Sequence, residues 1–109
     1  MHRPLIALAV ALLGAPVLAH HTGRVVKATV YDPWYAGRTT YCGKRYDHWG
    51  LSAAHPYLPC NSRVIVAHKG RVLSIPVTDR CDCAIDLSAG AAYRLGIPVD
   101  GIGKVSLSY

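Results

Sequence analysis

Short stretches of alternating apolar and polar residues recur along the chain with the period of a β-strand. Val25 to Tyr31 (VVKATVY) is rich in β-branched residues and reads as a strand. Leu51 to Ala54 is a shorter candidate that stops at His55-Pro56, because the residue before a proline is held extended. Arg63 to His68 (RVIVAH) and Arg71 to Val77 (RVLSIPV) predict a hairpin turning at Lys69-Gly70, with Pro76 putting the second arm at an edge or at a distortion. Lys104 to Leu107 is a last strand. Helical spacing is confined to Ser88 to Leu95, with Ser88 as N-cap, Ala91, Ala92 and Leu95 towards a core, Gly96 as C-terminal cap and Pro98 as a stop. Short strands with one short helix predict a mostly β domain, closed as a barrel rather than left as an open sheet.

Between the first two strands, Asp32 to Gly50 carries Pro33, Gly37, Gly43 and Gly50 and reads as one long loop, a length that usually serves function. Trp34, Tyr35, Tyr41, Tyr46 and Trp49 crowd this loop. They are either a platform for sugar rings or the loop's own small core. His68, at the hairpin tip, reads as solvated.

The first residues look like an export signal: Arg3 gives a short basic start, Leu5 to Leu18 is apolar, and Val17-Leu18-Ala19 offers small residues for cleavage. The apolar run is broken by Gly14 and Pro16 and is too short to span a bilayer, so no membrane anchor is expected. The expectation is a signal over residues 1–19 and one exported domain over 20–109, periplasmic or secreted and monomeric. All six acidic residues are aspartates, set against twelve Lys and Arg, for a net charge of +6. Such a balance draws an exported domain to anionic polymers, and the absence of any Lys/Arg block argues against nucleic acid as the partner. In an oxidising compartment Cys42, Cys60, Cys81 and Cys83 are available as bridges. Spacing does not choose among the pairings, although Cys81 and Cys83 are too close in the chain to bridge each other without strain.

Chemistry concentrates between Leu51 and Ser88. LSAAHPYLPC and VTDRCDCAIDLS bring an isolated His55, an isolated Asp79 and three of the four cysteines into one segment. Asp79 closes an alternating apolar run, so its carboxyl belongs at the rim of a core, where general acid chemistry is feasible. The competing reading is that Asp79 caps a turn or pairs with Arg80.

The order of motifs resembles the rare lipoprotein A family of double-psi β-barrels. Those motifs are Gly50-Leu51-Ser52-Ala53-Ala54-His55, Leu58-Pro59-Cys60, Arg63-Val64-Ile65-Val66, Val77-Thr78-Asp79-Arg80 and Ile85-Asp86-Leu87-Ser88 followed by Ala91-Ala92 and Leu95-Gly96, between Lys27 and Leu107. The resemblance implies a six-stranded double-psi β-barrel with one short helix, akin to expansins and barwin-like proteins. It also implies a lytic transglycosylase of peptidoglycan, in which the muramyl 6-hydroxyl attacks its own anomeric carbon and leaves a 1,6-anhydro end. The family's catalytic aspartate falls on Asp79 and its active-site histidine on His55, with Lys44, Tyr46, Asp47, Arg80, Trp34 and Trp49 expected along the glycan. Relatives carry cysteines at the positions of Cys42 and Cys60, which implies a bridge between those two. Cys81 and Cys83 are then left as a bridge, a free pair, or metal ligands with His48 or His55; a CxC alone is half of a usual zinc set, and no metal is expected.

Two departures stand out. Many enzymatic relatives have a glutamate where this chain has Lys44, and a cation there cannot serve as a carboxylate. The Gly-Pro that usually follows Asp-Arg is replaced by Cys81-Asp82-Cys83. The rival expectations are a non-catalytic wall-binding module of expansin type and a secreted inhibitor or effector of barwin type. Without a nucleotide, haem or flavin motif, no cofactor is expected.

Overall fold

A computed structural model describes residues 23–109; the expected export signal lies outside the described residues. Among the described residues six strands form in chain order: β1 (Arg24–Val30), β2 (Ala53–Ala54), β3 (Arg63–His68), β4 (Arg71–Asp79), β5 (Ile85–Leu87) and β6 (Gly103–Ser108). A helix, α1 (Ala89–Leu95), follows β5, and a single 3₁₀ turn (Pro33–Tyr35) opens the long loop after β1. The strands close into a barrel in the order β1-β5-β2-β4-β3-β6, with β6 returning to β1. The β1/β5 and β2/β4 pairs are parallel and the others antiparallel.

Alternation in sequence becomes alternation of faces. Ala28, Val64, Val66, Ile75, Val77, Ile85, Leu87, Val105 and Leu107 fill the interior, and Ala91, Ala92 and Leu95 of α1 close over it. The β3–β4 hairpin turns at Lys69 and Gly70, both with positive φ. Closure leaves β4 no edge, so Pro76 occupies the distorted alternative. It pairs with Arg63 at the end of the β3 ladder, where β4 begins to pair with β2 through Val77 and Ala53. His68 departs from its expected solvation. The inward set Val64, Val66 continues to it, and its buried ring donates from Nδ1 to the Leu95 carbonyl at 2.7 Å.

The long loop is fastened to α1 at its base. Ser88, the N-cap, donates to the Gly50 carbonyl at 2.7 Å and accepts from the amides of Ser52 and Ala91. Gly90 lies directly against this crossing: a Cβ there would stand 2.3 Å from the Trp49 carbonyl oxygen, so any larger residue forces the loop off the helix.

Candidate active site

Strand pairing lines up four residues across one face of the barrel wall. Thr29 of β1 pairs with Asp86 of β5, Asp86 with Ala54 of β2, and Ala54 with Asp79 of β4. Between Ala53 and Ala54 the β2/β4 register slips, Ala53 facing Val77 and Ala54 facing Asp79. Such a bulge re-aims the side chain beyond it. It takes Asp79 out of the inward sequence of Ile75 and Val77 and puts it in the row with Asp86. Two strand spacings separate the aspartates, roughly 10 Å between Cα atoms, and Ala54 between them is buried beneath Tyr31 and Tyr46.

Asp79 is held from three directions. Its Oδ2 accepts from the Tyr31 hydroxyl at 2.7 Å, and its Oδ1 from the backbone amides of Tyr41 at 2.8 Å and Arg80 at 2.9 Å. Tyr31 stacks on Tyr46, ring centroids 4.3 Å apart, and both pack with Ala54 and Cys81 in a small aromatic cluster. Burial first, and then the bond to Asp79, push the Tyr31 hydroxyl far above its ordinary range, so it remains a donor. Burial pushes Tyr46 up to about 12, and its hydroxyl meets His48 Nδ1 at 2.8 Å. The Tyr41 amide is brought into place by its neighbour. Cys42 donates from its backbone to the Thr78 carbonyl and is bridged to Cys60, with a Cα separation of 5.6 Å.

Asp86 is the second carboxyl of the row. Burial raises its pKa, Thr29 Oγ1 donating to Oδ1 at 2.8 Å offsets part of the rise, and the negative charge of Asp79 adds to it. One carboxyl is thus engaged as an acceptor on both oxygens, while the other holds its proton to a higher pH than an ordinary aspartate. Paired carboxyls in unlike environments are the usual basis for dividing acid and base roles.

His55 meets Asp79 through its backbone, its amide donating to the Asp79 carbonyl at 3.1 Å. Its ring turns to its own segment, Nδ1 accepting from the amides of Leu58 at 3.2 Å and Tyr57 at 3.3 Å. Burial, and then the charge of Arg80, lower the His55 pKa, consistent with a neutral ring that keeps its proton on Nε2. The ring sits edge-on to Tyr57 and Tyr109 and borders a cleft of about 230 Å³.

The other expected site residues divide. Arg80 flanks Asp79 and lays its guanidinium over the Tyr41 ring at 4.9 Å. Trp34 and Trp49 are each 62% exposed, although the Arg38 guanidinium covers Trp34 at 3.4 Å from its ring centroid. Tyr46 is 4% exposed, so it supports Tyr31 from behind instead of meeting a ligand. Lys44 and Asp47 line a separate cleft with Asn61, Pro76 and Thr78, on the side of β4 that Thr78 faces; Asp79 is not among the residues lining it. Cys81 and Cys83 are bridged to each other. Proximity in the chain does not prevent this, because the bend at Asp82 brings the Cα atoms to 5.2 Å, within the ordinary disulfide range.

Sequence reasoning passed over Tyr31 and gave Asp86 no role of its own. Asp86 had a local signal, an acid between Ile85 and Leu87 in a strand of three residues, where one face must stay polar. Tyr31 had none, because its bond reaches Asp79 across 48 positions of sequence.

Residues 27–107 match the family model described as lytic transglycolase. An uncharacterised Synechocystis protein, ssl3177, is 39% identical over 83 residues, covering 74% of this chain and 92% of that protein. The probable endolytic peptidoglycan transglycosylase RlpA of Synechocystis is 36% identical over 116 residues, and the endolytic peptidoglycan transglycosylase RlpA of Pseudomonas aeruginosa is 36% identical over 86. These alignments take in 95% and 73% of this chain but 36% and 25% of the two transglycosylases, so the chain spans about a third of one and a quarter of the other. Among solved structures, the Streptomyces papain inhibitor superposes with a TM-score of 0.61 at 30% identity, over 81% of this chain and 91% of the inhibitor. An expansin of Clavibacter michiganensis superposes with a TM-score of 0.64 over 80% of this chain and 49% of its own; at 24% identity it speaks to the fold alone. The barrel, its helix and the match over residues 27–107 agree: this chain belongs to the lytic transglycolase family of rare lipoprotein A-like double-psi β-barrels.

Proposed function

We propose that the protein is exported, acts as a monomer on peptidoglycan glycan strands, and cleaves the β-1,4 bond between N-acetylmuramic acid and N-acetylglucosamine to leave 1,6-anhydro ends. The observation that carries this reading is the row Thr29, Asp86, Ala54, Asp79, in which two carboxyls of unlike environment flank a small residue. Ala54 itself lies buried beneath Tyr31 and Tyr46, and a glycan laid across that aromatic cover meets both carboxyls. Asp86, which keeps its proton to higher pH, protonates the leaving glycosidic oxygen. Asp79 faces the anomeric carbon, offsets the positive charge that develops there, and receives the proton of the muramyl 6-hydroxyl as it closes on that carbon. The nucleophile belongs to the substrate, so no water has to be held between the carboxyls, as an inverting glycosidase would require. His55 acts as a positioning residue through its amide on Asp79, and Arg80, Trp34 and Trp49 meet the sugars. The test is incubation of the oxidised protein with peptide-stripped glycan strands, followed by mass analysis for anhydromuramyl ends.

A second reading rests on the papain inhibitor, of which this chain covers 91% at 30% identity. On that reading the exposed aromatic loop meets a protease instead of a sugar. Residual papain activity in the presence of excess protein separates the two.

A further inference from the structure

The carboxyl row leaves the Cys81–Cys83 bridge without a part in the chemistry. The two bridges of this protein differ in kind. Cys42–Cys60 spans 18 residues and pins the loop that supplies the Tyr41 amide, whereas Cys81–Cys83 spans only 2. A bridge stabilises a fold chiefly by restricting the unfolded chain, in proportion to the logarithm of the loop it closes, so the shorter bridge contributes the lesser share.

Its placement is also different. Cys81, Asp82 and Cys83 form a bend between β4 and β5, outside every strand ladder, with Asp82 exposed and both cysteines half-buried. Cys81 packs inward on Tyr31 and Tyr46. Cys83 lines the cleft of about 230 Å³ together with Arg24, His55, Tyr57 and Tyr109. Arg24 brings a fixed positive charge to the lining of that cleft, set against the exposed carboxyl of Asp82 between the two cysteines. A half-buried disulfide sulfur that lines an open cleft together with a guanidinium is open to attack by a thiolate.

We propose that Cys81–Cys83 is a thiol–disulfide exchange site for external thiols of the glutathione class, entered through the His55 cleft. The incoming thiol loses its proton to solvent, and its thiolate, drawn by Arg24, attacks Sγ of Cys83. The Cys81–Cys83 bond breaks, Cys83 is joined to the external sulfur, and Cys81 leaves as a thiolate that takes a proton from solvent. A second external thiolate attacks the external sulfur of this mixed disulfide and releases Cys83, which is protonated in turn. In sum two external thiols are oxidised to one disulfide, and the protein bridge accepts the two electrons and becomes two thiols.

The test follows the oxidised full-length protein in glutathione buffers of graded reduced-to-oxidised ratio, with thiols trapped by iodoacetamide and peptides mapped without reduction. Cys81 and Cys83 are expected to become alkylated on the order of tenfold faster than Cys42 and Cys60, while circular dichroism shows the barrel intact. Arg24→Ala is expected to slow this opening severalfold, as is added salt on the unmodified protein. A Cys81→Ser, Cys83→Ser protein should keep its fold. Parallel opening of the two bridges, earlier opening of Cys42–Cys60, opening only with unfolding, or failure of the double-serine protein to fold would each overturn the proposal. The readouts are thiol chemistry and folding, and do not depend on glycan cleavage.

Discussion

The Tyr31 hydroxyl donates a 2.7 Å hydrogen bond to Oδ2 of Asp79, joining the end of β1 to the end of β4 over the two strands that separate them in the barrel. That bond fixes which way the carboxylate points. Tyr46 behind it makes Tyr31 a rigid strut, because a stacked, buried ring cannot swing away without opening the aromatic cluster.

Tyr31→Phe keeps the ring, its stacking and its burial and removes only the donor. Loss of a hydrogen bond to a charged group is expected to lower stability by about 1–2 kcal/mol and cleavage of glycan strands by about tenfold. Urea unfolding and a cleavage assay on the same preparation check both effects. Tyr31→Ala should cost considerably more stability, because it also removes the ring on which Tyr46 stacks.

Asp86 gives a prediction with an opposite sign for stability and activity. Its folded pKa lies above the unfolded value of 3.8, so the stability it contributes is fully present below 3.8 and is lost as pH rises through the folded pKa. At pH 7 its ionisation therefore weighs against the fold. Asp86→Asn retains an acceptor for Thr29 Oγ1 and has nothing to ionise, so it is expected to be at least as stable as the unmodified protein at pH 7, with the advantage gone at pH 3. Cleavage is expected to fall by about 100-fold for want of the proton donor. Thermal unfolding at the two pH values and one activity measurement suffice.

The pH dependence of His55 runs the other way. Its folded pKa lies below the ordinary 6.5, so its contribution to stability is present above 6.5 and is lost as pH falls through that value towards the folded pKa. Protonating the ring removes the Nδ1 acceptor from the amides of Tyr57 and Leu58. His55→Asn offers an oxygen acceptor in a similar place without a titration. The slope of melting temperature against pH between about 7 and 5 is expected to flatten in that variant.

Much of the barrel could be read from the sequence because its strands are amphipathic: Val64, Val66, Ile75 and Val77 announce their inward faces, and Ser88 with Gly96 brackets the helix. The site was legible in part. Asp79 was visible as a carboxyl closing an apolar run. Its orientation was not, because it depends on a register slip between β2 and β4 that no local pattern encodes. His68 misled because the hairpin tip suggests solvent, whereas the inward set of β3 runs one residue further and meets the end of α1. Lys44 was aligned to a catalytic position, yet it lines a cleft with Asn61, Pro76 and Thr78 that Asp79 does not line, although Tyr41 of the same loop donates its amide to Asp79.

Removing the Cys42–Cys60 bridge tests how far the loop depends on it. Closing a loop of this size is worth about 3 kcal/mol in the chain-entropy model. Cys42→Ala with Cys60→Ala is expected to lose about that much, and to lose cleavage beyond what stability explains, because the Tyr41 amide is no longer held against Asp79 Oδ1. Cleavage measured well below the melting temperature of the variant separates the two losses.

The most direct measurement of the central claim compares the unmodified protein with Asp79→Asn on purified, peptide-stripped glycan strands, read by mass for 1,6-anhydromuramyl ends. The side-chain amide that this substitution introduces still has an oxygen to accept from the Tyr31 hydroxyl or from the backbone amides of Tyr41 and Arg80, so the variant is expected to fold and to sediment with cell walls while producing no anhydro ends above background. The unmodified protein is expected to generate them steadily. Anhydro ends from Asp79→Asn at the unmodified rate, or none from the unmodified protein under oxidising conditions, would contradict the account.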